Sequence, residues 1–175
     1  MRETRATQEA RRAREFETFV AGAGGRLLQA ATLLTAEAPH DNPRARRLLT
    51  LALARTYACW DRLHGEDPYN RAREYLATRF AHEAWHQYAW QLYDALPLGR
   101  ARPHSASGTL ARLTPQERLI LVLRLYEGVA EEQVAALLGL PTERVRTACD
   151  RATATLLHPP RGPAPAVRRA KAAAS

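Results

Sequence analysis

The chain has 175 residues, 46% apolar and 25% charged, which suits one domain or two small ones and excludes an acidic disordered chain. No apolar run approaches the roughly 20 residues of a membrane span, and the Arg- and Glu-rich start, Met1 to Arg14, is not a secretory signal. The formal net charge of +8 makes nucleic acid the first partner to consider.

That excess is not spread evenly. Residues 97–112 and 158–175 hold three and four basic side chains and no acid, while 113–157 hold five Arg against six acids. The basic charge therefore sits in a connector and a tail, where a solvated run is as ordinary a reading as a contact with an anionic polymer. Two cysteines, Cys59 and Cys149, cannot build a disulfide framework or a four-Cys zinc site. The chain reads as cytoplasmic.

Residues 1–13 form a basic N-terminal extension. Phe16, Phe19, Val20, Leu27, Leu28, Ala31 and Leu34 then follow helical spacing, interrupted at Gly22, Gly24 and Gly25. Asp41-Asn42-Pro43 opens a second helix, with Asn42 as cap and Pro43 at the first helical position, running to about Leu63. Asp67-Pro68 opens a third in the same way, carrying Tyr75, Leu76, Phe80, Trp85 and Leu92 and stopping before Pro97. Together 14–96 make one helical unit. Residues 97–112, rich in Gly, Pro, Ser and Arg, read as a flexible linker.

The second unit, 113–157, is sharper. Thr114-Pro115-Gln116-Glu117 is a capping box. Leu119, Ile120, Val122, Leu123 and Tyr126 form the expected buried stripe, ended by Gly128. A short helix from Glu131 to Leu138, the turn Gly139-Leu140-Pro141, and a polar-faced helix from Thr142 to Leu157 make a helix-turn-helix pattern. Val145, Ala148 and Ala152 face the core, which leaves Thr142, Arg144, Arg146, Thr147 and Arg151 as candidates for the major groove. A three-helix bundle without DNA contact is the plainer alternative. Residues 158–175, with four prolines, read as a disordered basic tail.

The stretch Leu113 to Ala152 resembles the C-terminal DNA-binding region of bacterial sigma factors of the extracytoplasmic-function group. The likeness rests on Leu113-Thr114-Pro115-x-x-Arg118, the Glu127-Gly128 turn, Val134-Ala135-x-Leu137-Leu138-Gly139 and Val145-Arg146. It implies promoter DNA and core RNA polymerase, or a partner protein, as partners, with an anti-sigma regulator as a further one. It also implies that Arg144, Arg146, Thr147 and Arg151 are contact positions. The first unit follows the family's layout more loosely, through Arg14-Glu15-Phe16, Arg26-Leu27-Leu28 and Asp67-Pro68. On the helix that grips the polymerase, the family's Asp-x-x-Gln-Glu cluster is replaced by Arg47-Leu48-Leu49-Thr50-Leu51. The resemblance places polymerase contacts at Arg47, Leu48, Thr50, Leu51 and Arg55.

A competing motif is His82-Glu83-Ala84-Trp85-His86, which matches H-E-x-x-H. On one helix face two His could hold zinc, with the Glu as general base. No third ligand follows at a suitable spacing: Ala89 and Leu92 stand where an extended motif wants Gly and His. The reading reached is an all-α protein of two small helical domains joined by a flexible linker. It is expected to be a nucleoid-associated transcription initiation protein with no catalytic residue, no cofactor and no membrane partner. A diverged sigma-like protein that binds a regulator instead of the polymerase is the first alternative, and a zinc hydrolase the second.

Overall fold

The computed structural model describes residues 2–63, 65–94 and 108–158, with side chains for 4–63, 65–85 and 108–158. The chain is all-α, and no strand occurs among the described residues. The helices are α1 (Arg2–Thr35), α2 (Pro43–Ala58), α3 (Pro68–Asp94), α4 (Pro115–Leu121), α5 (Glu131–Leu138) and α6 (Thr142–Leu157). Short 3-10 turns at Trp60–Arg62 and Thr109–Arg112 follow α2 and precede α4.

α1 does not break at its glycines. It is one helix of 34 residues that also takes in the expected basic extension. A helical Gly costs about 1 kcal/mol relative to Ala, and tertiary contacts on both sides of the glycines offset that cost. Phe16 and Phe19 pack against Trp60, and Phe16 also against Tyr57, with ring centroids 4.8 to 5.4 Å apart. Arg12 sits over the Tyr57 ring, donates to the Tyr57 carbonyl and pairs with Asp61 at 3.0 Å. On the far side of the glycines, Leu27, Ala30, Ala31 and Leu34 are buried.

α2 starts where expected but is capped differently. The Asn42 side-chain amide donates to Thr32 Oγ1 and the Pro39 carbonyl, and its oxygen accepts from Arg46 Nε. Glu37 takes the capping role: its two carboxylate oxygens accept from the backbone N–H groups of Arg44 and Ala45 at 3.1 and 2.8 Å. α2 ends at Ala58 rather than near Leu63, and Trp60–Arg62 continue as the 3-10 turn. At the start of α3, Asp67 Oδ1 accepts from the Tyr69 N–H.

Small residues let α1, α2 and α3 approach closely: Ala30, Ala31, Ala45, Ala52, Ala72 and Ala77 are all buried. This core does not stop at the first unit. The same cluster takes in Leu119, Ile120, Val122, Leu123, Val129, Val134, Ala135 and Val145. The two helical units are therefore packed against each other, with α4 lying on α1 and α3, and α5 on α3.

Two sequence expectations about the second unit change. After α4, Val122–Tyr126 form a π turn, and the Glu127 N–H reaches back to the Val122 carbonyl. That wider turn rotates the face of the helix. Tyr126, expected inside, is 36% exposed, and Glu127 is buried in its place. The linker also ends earlier than expected. Thr109–Arg112 is an ordered turn whose Leu110 packs on Leu113, Leu121 and Ala152. Residues 95–107 and 159–175, which hold the rest of the linker and nearly all of the tail, lie outside the described residues.

Candidate nucleic-acid interface

The capping box is present. Thr114 Oγ1 accepts from the Glu117 N–H at 3.2 Å, and Glu117 Oε2 accepts from the Thr114 N–H at 3.0 Å. α5 ends at Gly139, whose φ of 63° is the left-handed conformation that favours glycine, and the Leu140 N–H closes on the Ala135 carbonyl. Pro141 then supplies its carbonyl to the N–H groups of Arg144 and Val145, so the chain turns into α6 within three residues.

Val134 on α5 and Val145 and Ala152 on α6 are fully buried. This anchoring fixes which face of α6 looks outward. Arg144, Arg146, Thr147 and Arg151 lie on the exposed face, and Thr142 is half-buried at its start. Ala148 and Cys149 are half-buried against the core. Burial pushes the Cys149 thiol upward from its ordinary value, which keeps it a thiol rather than a nucleophile.

The exposed arginines differ in their surroundings. Arg146 Nη2 lies 3.0 Å from Glu131 Oε1 on α5, and its Nη1 lies 2.8 Å from Glu143 Oε1 on α6. These carboxylates, Glu131 first, hold the Arg146 pKa above its ordinary value. Arg151 Nη1 approaches Glu117 Oε1 at 3.9 Å. Thr147 Oγ1 donates to the Glu143 carbonyl. Arg144 makes no ion pair among the described residues. Sequence reasoning found the arginines and missed their acidic partners. The Glu143–Arg146 spacing of three was a usable signal, but Glu131 meets Arg146 only once the turn is folded.

On α2, Arg47, Thr50, Leu51 and Arg55 are exposed, and Arg55 lies over the Tyr75 ring at 5.8 Å. Leu48 does not belong to that face. It is 2% exposed, in the core with Ala45 and Ala52, because it falls on the inward stripe Ala45, Leu48, Ala52 and Thr56, while Leu51 stands at the edge of that stripe. On α3, His82 is exposed and Glu83 accepts from Arg79 at 2.9 Å. The His86 side chain lies outside the described residues, among which no group of three His, Cys, Asp or Glu is placed to hold a metal.

The family described as Sigma-70, region 4 matches residues 109–156, the span from the ordered 3-10 turn through α6. The chain is also similar to the RNA polymerase sigma-E factor of Streptomyces coelicolor, with 32% identity over 155 residues covering 81% of this chain and 84% of that protein. A second RNA polymerase sigma-E factor, from Streptomyces avermitilis, is likewise 32% identical, covering 81% of this chain and 83% of the relative. The chain belongs to the sigma factors of the extracytoplasmic-function group. An alignment covering 81% of this chain cannot fit inside 109–156, so the likeness takes in α2 and α3 and reaches into α1. In this sigma factor the region 4 match takes in the Thr109–Arg112 turn, whose Leu110 packs against the helices of that unit. The metal reading of His82 and His86 gains nothing from these relatives. No helix among the described residues is long and apolar enough to cross a membrane.

Proposed function

We propose that this sigma factor directs core RNA polymerase to promoter DNA, reading the upstream promoter element with α6. The observation that carries this reading is the exposed polar face of Arg144, Arg146, Thr147 and Arg151 on an anchored second helix of a helix-turn-helix, in a chain that matches sigma-E factors along most of its length. Forked guanidinium donors at the start of such a helix suit guanine edges and phosphates. The catalysis belongs to the polymerase, so the chain itself needs no catalytic residue or cofactor. It works in the cytoplasm, at the chromosome, and an anti-sigma protein is a fitting regulator.

The polymerase contacts are proposed for the outer face of α2, through Arg47, Thr50, Leu51 and Arg55. Leu48 supports that face from beneath. The test is run-off transcription with purified core polymerase and this chain on genomic fragments. Promoter-dependent transcripts are expected, and none from core polymerase alone. Transcripts that persist unchanged with Arg47→Asp and Leu51→Glu together would move the polymerase contact away from α2.

A second reading, a sigma-like chain that needs another protein to hold the polymerase, is favoured by one observation. The exposed face of α2 presents Arg47 and Arg55 and no acid. Transcription that appears only after adding a cell fraction lacking polymerase would select it.

A further inference from the structure

Glu131 is not on the DNA-reading helix. It is the first residue of α5, with a side chain only 15% exposed, and its two oxygens face two different arginines. Oε1 forms an ion pair with Arg146 Nη2 at 3.0 Å, close but not aligned as a hydrogen bond, and Oε2 lies 3.9 Å from Arg124 Nη2. Arg124 is fixed in turn because its Nη1 donates to the Val129 carbonyl. A chain of charge contacts, anchored by that hydrogen bond, therefore runs from the backbone after the π turn to the tip of Arg146. Glu143 closes it from the other side, on Arg146 Nη1 at 2.8 Å.

Both terminal nitrogens of Arg146 are thus held, one from each helix of the motif. A guanidinium carries five N–H donors, and two ion pairs leave enough of them to meet two acceptors side by side. Phosphate is a poor partner here. Glu131 and Glu143 flank this guanidinium and Arg124 stands behind Glu131, so the Arg146 charge is already matched, and a phosphate brought to Arg146 would also meet the two carboxylates. A neutral base edge with two acceptors meets no such penalty. Guanine, through O6 and N7, is the base that presents that pair in the major groove.

We propose that Glu131 is a positioning residue for base reading: it holds the Arg146 guanidinium in place to contact a guanine in the major groove. This rests on the proposed DNA-reading role of α6. Pre-holding the fork removes rotamer freedom before DNA arrives, so less entropy is lost on contact.

The test uses the full chain and a duplex that it selects from a randomised pool. Binding is measured on that duplex and on versions with each base pair changed, for wild type, Arg146→Ala, Glu131→Gln and the double variant. Arg146→Ala is expected to lose discrimination at one G·C pair by about tenfold to a hundredfold. Glu131→Gln is expected to lose about threefold to tenfold at that same pair and no other. In the Arg146→Ala background, Glu131→Gln should change discrimination by less than about twofold. If Arg146→Ala keeps discrimination everywhere, Arg146 reads no base and the positioning role is overturned, and the reading of α6 itself fails only if Arg144→Ala and Arg151→Ala keep it too. If Arg146→Ala loses it and Glu131→Gln does not, the positioning role is overturned. Glu131→Gln tightening binding to all sequences alike would make Glu131 a charge screen and also overturn the role. So would an equal loss from Glu131→Gln with Arg146 absent, which would mark a purely structural residue.

Discussion

The Tyr69 hydroxyl lies 2.9 Å from both carboxylate oxygens of Glu127, joining the start of α3 to the turn that follows α4. The Glu127 side chain has no exposed surface. Arg26 from α1 and Arg73 from α3 approach it at 3.6 and 3.8 Å, and Arg26 also lies over the Tyr69 ring. A buried carboxylate needs such compensation, and all of it comes from the other helical unit. The two units are therefore tied by a polar cluster as well as by the shared apolar core.

Tyr69→Phe keeps the ring and removes the donor. A hydrogen bond to a charged group contributes about 1.5–3 kcal/mol, and the loss should appear in full because Glu127 stays buried. We expect urea unfolding to show a destabilisation in that range. Tyr126→Phe, at the exposed residue next to Glu127, should stay within about 0.5 kcal/mol of wild type. Equal effects from the two variants would mean that the Tyr69–Glu127 contact carries nothing.

The same contact sets an alkaline limit. Burial first, then the hydrogen bond to Glu127 and its charge, raise the Tyr69 pKa well above the ordinary 10.0, with Arg26 opposing. A group with a raised folded-state pKa contributes stability that is present below its unfolded value and is lost as pH climbs past it. Unfolding free energy should therefore start to fall near pH 10 and keep falling as pH rises further toward the raised folded-state value. Tyr75 and Tyr126 are also raised, so Tyr69→Phe should flatten that fall without abolishing it. Chemical unfolding across this range checks the difference in slope.

Arg118 on α4 works against the docking. It is buried, its Nε–H meets no acceptor among the described residues, and burial followed by the charge of Arg44 on α2 lowers its pKa. A buried cation without a full set of partners is a net cost. Arg118→Met keeps the volume and removes the charge. It should raise stability on the order of 1 kcal/mol, seen as a higher thermal midpoint. A lower midpoint would mean that Arg118 finds its partners in the folded chain after all.

What the sequence disclosed follows from the range of the physics involved. The Thr114–Glu117 capping box, the Gly139 turn and the Val145–Ala152 core face depend on residues within a few positions, and those readings match the structure. Glu127 replaced Tyr126 inside because one π turn shifts the register, and no periodicity count registers a single wide turn. Gly22, Gly24 and Gly25 looked like breaks because local propensity cannot see Phe16 against Trp60. Leu48 was placed with Leu51 by the family resemblance, but it falls on the buried stripe of Ala45, Ala52 and Thr56, and Leu51 lies at the edge of that stripe. The shared core of the two units and the Glu131–Arg146 pair are contacts between elements, which pattern alone does not place.

Arg144 and Arg146, two residues apart on α6, should divide the work of DNA binding. Arg144 is exposed and makes no ion pair among the described residues, so its full charge is available to the phosphate backbone. Neutralising a phosphate releases counterions, and that gain depends on salt and not on sequence. Arg144→Ala should therefore weaken binding to all duplexes nearly uniformly and reduce the salt slope by about 1. Arg146 is already offset by Glu131 and Glu143, so it has little net charge to offer a phosphate. Arg146→Ala should leave the salt slope nearly unchanged and cost about 1–3 kcal/mol at one base pair. Titrations of both variants at several salt concentrations, on a selected and a scrambled duplex, separate the two effects. If Arg144→Ala instead erases sequence preference while the salt slope holds, Arg144 is the base reader and the roles are exchanged.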